Sequence, residues 1–120
     1  MARILIVDDS PTEMYKLTAM LEKNGHQVLK AENGADGVAL ARQEKPDVVL
    51  MDISMPVMNG IEMLEKLKGE PGLKDIPVIM LTAAAGEMAR LNSLEAGAAD
   101  FLTKPFSPQE LARRVGRVLE

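Results

Sequence analysis

Val48-Val49-Leu50-Met51-Asp52-Ile53-Ser54-Met55-Pro56 is an apolar run that meets a single carboxylate and is followed at once by Pro56 and Asn59-Gly60. A short apolar run bounded by turn residues reads as a strand buried on both faces, as parallel sheets require. Asp52 then stands at the carboxyl end of that strand, the edge at which open α/β sheets bind ligands. Other runs end in the same way. Arg3-Ile4-Leu5-Ile6-Val7 leads into Asp8-Asp9, Ile76 to Leu81 into Thr82, and Ala99-Asp100-Phe101-Leu102 into Thr103-Lys104-Pro105-Phe106. Gln27-Val28-Leu29-Lys30-Ala31, with polar ends, suits the edge of a sheet.

Helical signals lie between these strands. Ser10-Pro11-Thr12-Glu13 and Ser107-Pro108-Gln109-Glu110 are both capping boxes with proline at the first helical position. Met14, Leu17, Met20 and Leu21 follow the first at helical spacing, and Asn24-Gly25 stops that helix. Leu111, Val115, Val118 and Leu119 form the stripe of the last helix. Asn33-Gly34 opens a helix with Val38, Leu40 and Ala41 that ends near Lys45-Pro46. Asn59-Gly60 precedes Ile61, Met63, Leu64 and Leu67, closed by Gly69 and Pro71-Gly72, and Glu87 to Glu95 is a helix ended by Gly97. Strands alternating with helical crossovers predict an α/β, flavodoxin-like, doubly wound (βα)5 fold. Its five-stranded parallel sheet runs in the order 2-1-3-4-5, with helices on both faces. The expectation is a single domain over 1–120 with no output domain appended.

Composition narrows the function. The net charge is −4, with one Tyr, two Phe and no Trp. That argues against nucleic-acid binding, which relies on cationic contacts to phosphates and on stacking platforms. No apolar run approaches the roughly 20 residues of a membrane span, and cysteine is absent, so a cytoplasmic setting is the simplest reading. The single histidine, His26, reads as an exposed turn residue without a role. Met14, Met20, Met51 and Met80 fit core stripes, whereas Met55, Met58 and Met88 are expected near the site or an interaction face.

In a parallel sheet the loops after strands 1, 3, 4 and 5 share one edge. Asp8, Asp9 and Asp52 therefore converge, with Thr82 and Lys104 beside them. Clustered carboxylates raise one another's pKa unless a cation compensates, and a hard divalent ion with oxygen ligands, Mg²⁺ first and Mn²⁺ as a substitute, suits the cluster. A carboxylate can attack a phosphoryl group, and such transfer needs positive charge and positioning more than acid–base chemistry. Asp52 as nucleophile, Asp9 and Asp52 around Mg²⁺, and Lys104 and the Thr82 hydroxyl on phosphoryl oxygens meet that need.

Asp8-Asp9, Asp52 followed by Met55-Pro56-x-x-Asn59-Gly60, Thr82-Ala83 and Lys104-Pro105-Phe106 together resemble the receiver domains of two-component response regulators. The resemblance covers the whole chain. It implies that Asp52 takes a phosphoryl group from a sensor histidine kinase or phosphotransfer domain. It also implies that Asp8, Asp9, Asp52 and the main-chain carbonyl of Ser54 hold Mg²⁺, and that the Lys104–Pro105 peptide is cis. Thr82 and an inward-turning Phe101 would form the switch. The face of the fourth helix, fifth strand and fifth helix would then signal to an output partner, from a monomer or weak dimer with no enzymatic role beyond its own phosphorylation and dephosphorylation. The first half is most similar to single-domain receivers of pilus-linked twitching systems, and the second, from about Met58, to receivers attached to cyclic-dinucleotide enzymes. A chimeric or designed receiver is the alternative reading. A haloacid-dehalogenase-type phosphatase would need an Asp where Ser54 stands, and a flavodoxin-like carrier would need a first loop without Asp8-Asp9 and aromatics to hold a flavin.

Overall fold

The computed structural model describes residues 2–52, 60–82 and 94–119. Five strands are present: β1 Arg3–Val7, β2 Gln27–Ala31, β3 Val48–Asp52, β4 Val78–Thr82 and β5 Asp100–Thr103. Among the described residues they alternate with helices α1 Pro11–Lys23, α2 Gly34–Glu44, α3 Gly60–Gly69 and α4 Pro108–Val118. All pairings are parallel, in the order β2-β1-β3-β4-β5. This is the doubly wound arrangement the alternation predicts. The expected helix 87–95 lies outside the described residues apart from its last two positions, as do the turn before Gly60 and the small-residue loop after Thr82. No described helix is long and apolar enough to cross a membrane.

The sheet separates two clusters of buried side chains. Val49, Met51, Leu5, Val7, Val78 and Met80 pack with Val38 of α2 and Met63, Leu64 and Leu67 of α3. Val48, Leu50, Ile4, Ile6, Ile79 and Leu81 pack on the other side with Leu17 and Leu21 of α1 and Leu111 and Val115 of α4. Each central strand thus serves both cores through the two-residue period of its side chains. α2 lies close to the sheet because Gly37 has no side chain. A Cβ there would stand 2.7 Å from Met63 Cε and 2.9 Å from Val7 Cγ2.

Local chemistry fixes the helix ends. Ser10 Oγ accepts from the Glu13 amide at 3.3 Å and Ser107 Oγ from the Glu110 amide at 3.0 Å, while Asn33 Oδ1 accepts from the Asp36 amide at 2.8 Å. Gly25, at φ +86°, takes the left-handed conformation after α1. The first capping box is only half closed. The Ser10 amide, which Glu13 would take, donates instead to Asp8 Oδ1 at 2.9 Å.

Several sequence expectations shift. β4 starts at Val78 rather than Ile76 because the carbonyls ahead of it are taken elsewhere: Lys68 Nζ donates to Lys74 O at 2.9 Å and Ile76 O at 3.2 Å. Pro77 still offers its carbonyl to the Val49 amide at 3.0 Å. The strand also runs one residue further and includes Thr82. β5 is displaced one residue from the expected 99–102. His26 is not an exposed turn residue. It is half-buried, and its Nδ1 accepts the Ala2 amide at 3.1 Å, tying the start of the chain to the end of α1. Met14 and Met20 only flank the core instead of filling it, and Leu119, beyond the end of α4, is 38% exposed.

Candidate phosphoacceptor site

The register brings the predicted groups to one edge. Val7 pairs with Met51, so Asp8 leaves β1 level with Asp52, the last residue of β3. Asp52 pairs with Leu81, which places Thr82 one step further along β4. Thr82 pairs with Thr103, and the Lys104 amide donates to Thr82 O at 2.7 Å. Lys104 thus leaves the edge strand just beyond the sheet and turns back over it. The Lys104–Pro105 peptide is cis.

One oxygen from each of Asp8, Asp9 and Asp52 lies within 4.8 Å of the others. Lys104 Nζ stands 3.4 Å from Asp52 Oδ2 and 3.6 Å from Asp8 Oδ2. Exposure is graded across the group: Asp9 is exposed, Asp52 intermediate, and Asp8 only 1% exposed. Asp8 Oδ1 is oriented by the Ser10 amide, but the buried Oδ2 has no hydrogen-bond partner among the described residues. Burial pushes the Asp8 carboxyl above its ordinary value, with Asp52 and Asp9 adding to that, against the Ser10 amide and Lys104, which pull it down. A buried carboxylate oxygen without a donor is costly. Here it is aimed at a cluster of hard oxygen donors that suits a divalent cation. Three carboxylates and one ammonium leave a site charge of −2, which one such ion neutralises.

Thr82 is buried at 2% exposure. Phe101 is half-buried, packed against the α2/α3 core. On the opposite side of β5, Asp100 Oδ1 accepts its neighbour's amide, that of Phe101, at 2.8 Å and Arg114 of α4 at 2.9 Å. Ser54 lies outside the described residues, as do Met55, Met58 and Met88. Sequence reasoning missed Ser10 as a group that positions Asp8, because it treated the Ser-Pro-x-Glu pattern as a helix start alone. The two-residue spacing of Asp8 and Ser10, which permits a carboxylate to accept the amide two residues on, was the available signal.

The chain matches the response regulator receiver domain family over residues 4–116. It is 60% identical over 119 residues to the protein PilH of Pseudomonas aeruginosa, covering 99% of this chain and 98% of that protein. The likeness therefore spans both halves of the sequence. Among solved structures it is similar to the chemotaxis protein CheY4 of Vibrio cholerae (TM-score 0.94, 33% identity, 99% of each chain covered). It is also similar to the receiver domain of the sensor histidine kinase PA1611 of Pseudomonas aeruginosa PAO1, which was solved with a magnesium ion coordinated in its active-site cleft (TM-score 0.92, 34% identity, 98% of this chain and 97% of that one covered). Fold, carboxylate cluster and whole-chain likeness agree, and the chain belongs to the receiver domains of two-component response regulators.

Proposed function

We propose that Asp52 is the phosphoacceptor of this receiver and that Asp8, Asp9 and Asp52, with the Ser54 carbonyl, hold Mg²⁺ or Mn²⁺. The phosphodonor is a sensor histidine kinase or phosphotransfer domain, which places the chain in the cytoplasm. The observation that carries the reading is the convergence of three carboxylates within 4.8 Å with one ammonium 3.4 Å from Asp52. An Asp52 oxygen attacks the phosphorus, a new O–P bond forms, and the donor's own bond to phosphorus breaks as the donor takes up the leaving electron pair. The bound ion supplies positive charge to the phosphoryl oxygens. Lys104 donates to a second oxygen and the Thr82 hydroxyl to a third, so charge is met by pre-placed donors. Asp8, held by the Ser10 amide, stays ionised once its cation is in place. Hydrolysis of the acyl phosphate resets the protein. Thr82 and Phe101 couple the modified state to β5 and to the helices flanking it, and this face meets an output partner.

Incubation with acetyl phosphate and Mg²⁺ should add one phosphate by intact mass, and Asp52→Ala should abolish the addition. An Asp52→Ala protein that still gains the phosphate would overturn the assignment.

A further inference from the structure

β2 ends the sheet on one side, with β1 as its only strand neighbour. The Gln27 amide donates to Ala2 O at 2.8 Å and the Asp8 amide to Ala31 O at 3.1 Å, and the two strands run parallel in that register. Alternate residues of a parallel strand serve one side, so Gln27, Leu29 and Ala31 bond to β1. The amides and carbonyls of Val28 and Lys30 therefore face away from the sheet, and no described strand takes them. Such a row of open groups is a template for another strand.

The two faces of this edge differ. On the face of α2 a groove of about 450 Å³ is lined by Ala31, Ala39 and Leu40, and Leu40 is packed against the α2/α3 core. Asp36 also lines it, with Oδ2 engaged by Asn33 Nδ2 at 3.1 Å. Val28 belongs to the α1/α4 side of the sheet, and by the two-residue period Lys30 shares that side. There Lys30 stands beside Tyr15, which is 77% exposed. Among the described residues nothing pairs with the exposed Lys30 ammonium. The cavity next to Lys30 and Tyr15 also takes in Asp8, Asp9 and Glu32, so a segment laid on this edge borders the phosphoacceptor crevice.

We propose that β2 takes up an extended segment of a partner protein as a sixth strand of the sheet. The main chain of the segment pairs with Val28 and Lys30. Its alternate side chains are apolar and lie in the groove along Ala39 and Leu40, and the residue between them, on the face of α1, is an acid opposite Lys30. This is recognition by strand addition, in which main-chain bonds give affinity and alternate side chains give selectivity. A second copy of the chain fits the edge less well. The antiparallel register that uses all the open groups sets Val28 of one copy against Lys30 of the other, which brings the two Lys30 ammoniums to diagonal positions on one face. Edge lysines guard against self-pairing in this way, whereas a carboxylate on a different strand turns the same lysine into an attraction.

The test uses the whole chain and two synthetic peptides with blocked ends, Thr-Val-Glu-Val-Thr and Thr-Val-Lys-Val-Thr. In NMR spectra the Glu peptide should slow solvent exchange of the Val28 and Lys30 amides, which are open in the free protein, on the order of ten-fold. The Lys peptide should bind about five-fold more weakly. Lys30→Glu should reverse that preference, and its urea midpoint should match the wild type, which shows that it is folded. N-methylation of the Glu peptide should weaken binding at one set of alternate residues and spare the other, since only every second amide of a strand faces its neighbour. Equal binding of the two peptides, equal loss from N-methylation at every position, or no protection of Val28 and Lys30 at millimolar peptide overturns the proposal. So does concentration-dependent protection of those two amides in the protein alone, since the edge would then belong to a second copy.

Discussion

Replacing Lys104 with methionine removes the ammonium and keeps most of the apolar stem. Its loss is felt mainly by Asp8, whose Oδ2 lies 3.6 Å away and whose side chain is fully buried, and also by Asp52 at 3.4 Å. At an effective dielectric near 20, each contact has a ceiling of about 5 kcal/mol. The cost of dehydrating the ammonium itself, which is 16% exposed, disappears in the variant and offsets part of that. Removing one partner of a buried pair typically costs about 3–5 kcal/mol. Residual hydration of Asp52 and Lys104 argues for the lower part of that range, about 3–4 kcal/mol, or roughly 10 °C in Tm for a domain of this size. The assay is urea unfolding at pH 7 in EDTA and again in excess Mg²⁺. A ligand at 100 times its Kd adds about 2.7 kcal/mol to a folded state. Mg²⁺ should add more to the variant than to the wild type under the same conditions, because the site charge falls from −2 to −3 when the ammonium is gone. Acid provides a second arm. Asp8 already sits above 3.8 through burial, and losing Lys104 raises it further. Between 3.8 and that raised value the folded variant holds a proton the unfolded chain has released, so stability is gained as pH falls through the window and lost as it rises. The deficit of the variant should therefore be largest near neutrality. A variant as stable as wild type in EDTA at pH 7, or an identical Mg²⁺ increment in both, would refute the role of Lys104 as counter-charge.

Three further outcomes can be checked by the same methods. Asp8→Asn should stabilise the metal-free protein, on the order of 1 kcal/mol, by removing a buried carboxylate with an unmet oxygen; Mg²⁺ should then no longer raise its Tm. Gly37→Ala gains roughly 1 kcal/mol of helix propensity but places a methyl 2.9 Å from Val7 Cγ2, a stiff branched group. Overpacking of about 1–3 kcal/mol should leave the variant less stable by urea midpoint. His26 lies below 6.5, through burial first and then the charge at the start of the chain. Its contribution to stability is complete above 6.5 and lost as pH falls toward the folded value, because the unfolded chain then binds a proton the folded one resists. His26→Gln, which can still accept the Ala2 amide, should flatten the stability profile in the pH window just below 6.5.

The sheet was legible because each strand is an apolar run cut off by a charged or turn residue at the edge that matters. Val48–Asp52 and Arg3–Val7 show this most plainly. The site followed from that, since a parallel order places Asp8, Asp52 and Lys104 together whatever the loops do. Boundaries set by tertiary partners were not legible. Ile76 looks like strand until Lys68 is seen taking its carbonyl. The Ala2 contact that half-buries His26 comes from 24 residues away. The unmet oxygen of Asp8 was out of reach for the same reason, because burial is a property of the assembled core and nothing in Asp8-Asp9 says which of the two points inward.

β3 lies at the centre of the sheet, and β5 is an edge strand with neighbours on one side only. Opening of a protein is graded, and edges open without global unfolding. Amides of β3 should exchange with solvent only when the whole domain unfolds, whereas those of β5 should exchange through local fraying. On this expectation Asp52 is mounted on the slowest-exchanging strand and the Lys104 ammonium just beyond an edge strand. Fraying of β5 should then withdraw the Lys104 ammonium while Asp8 and Asp52 keep their places, so that the counter-charge comes and goes on a timescale of its own.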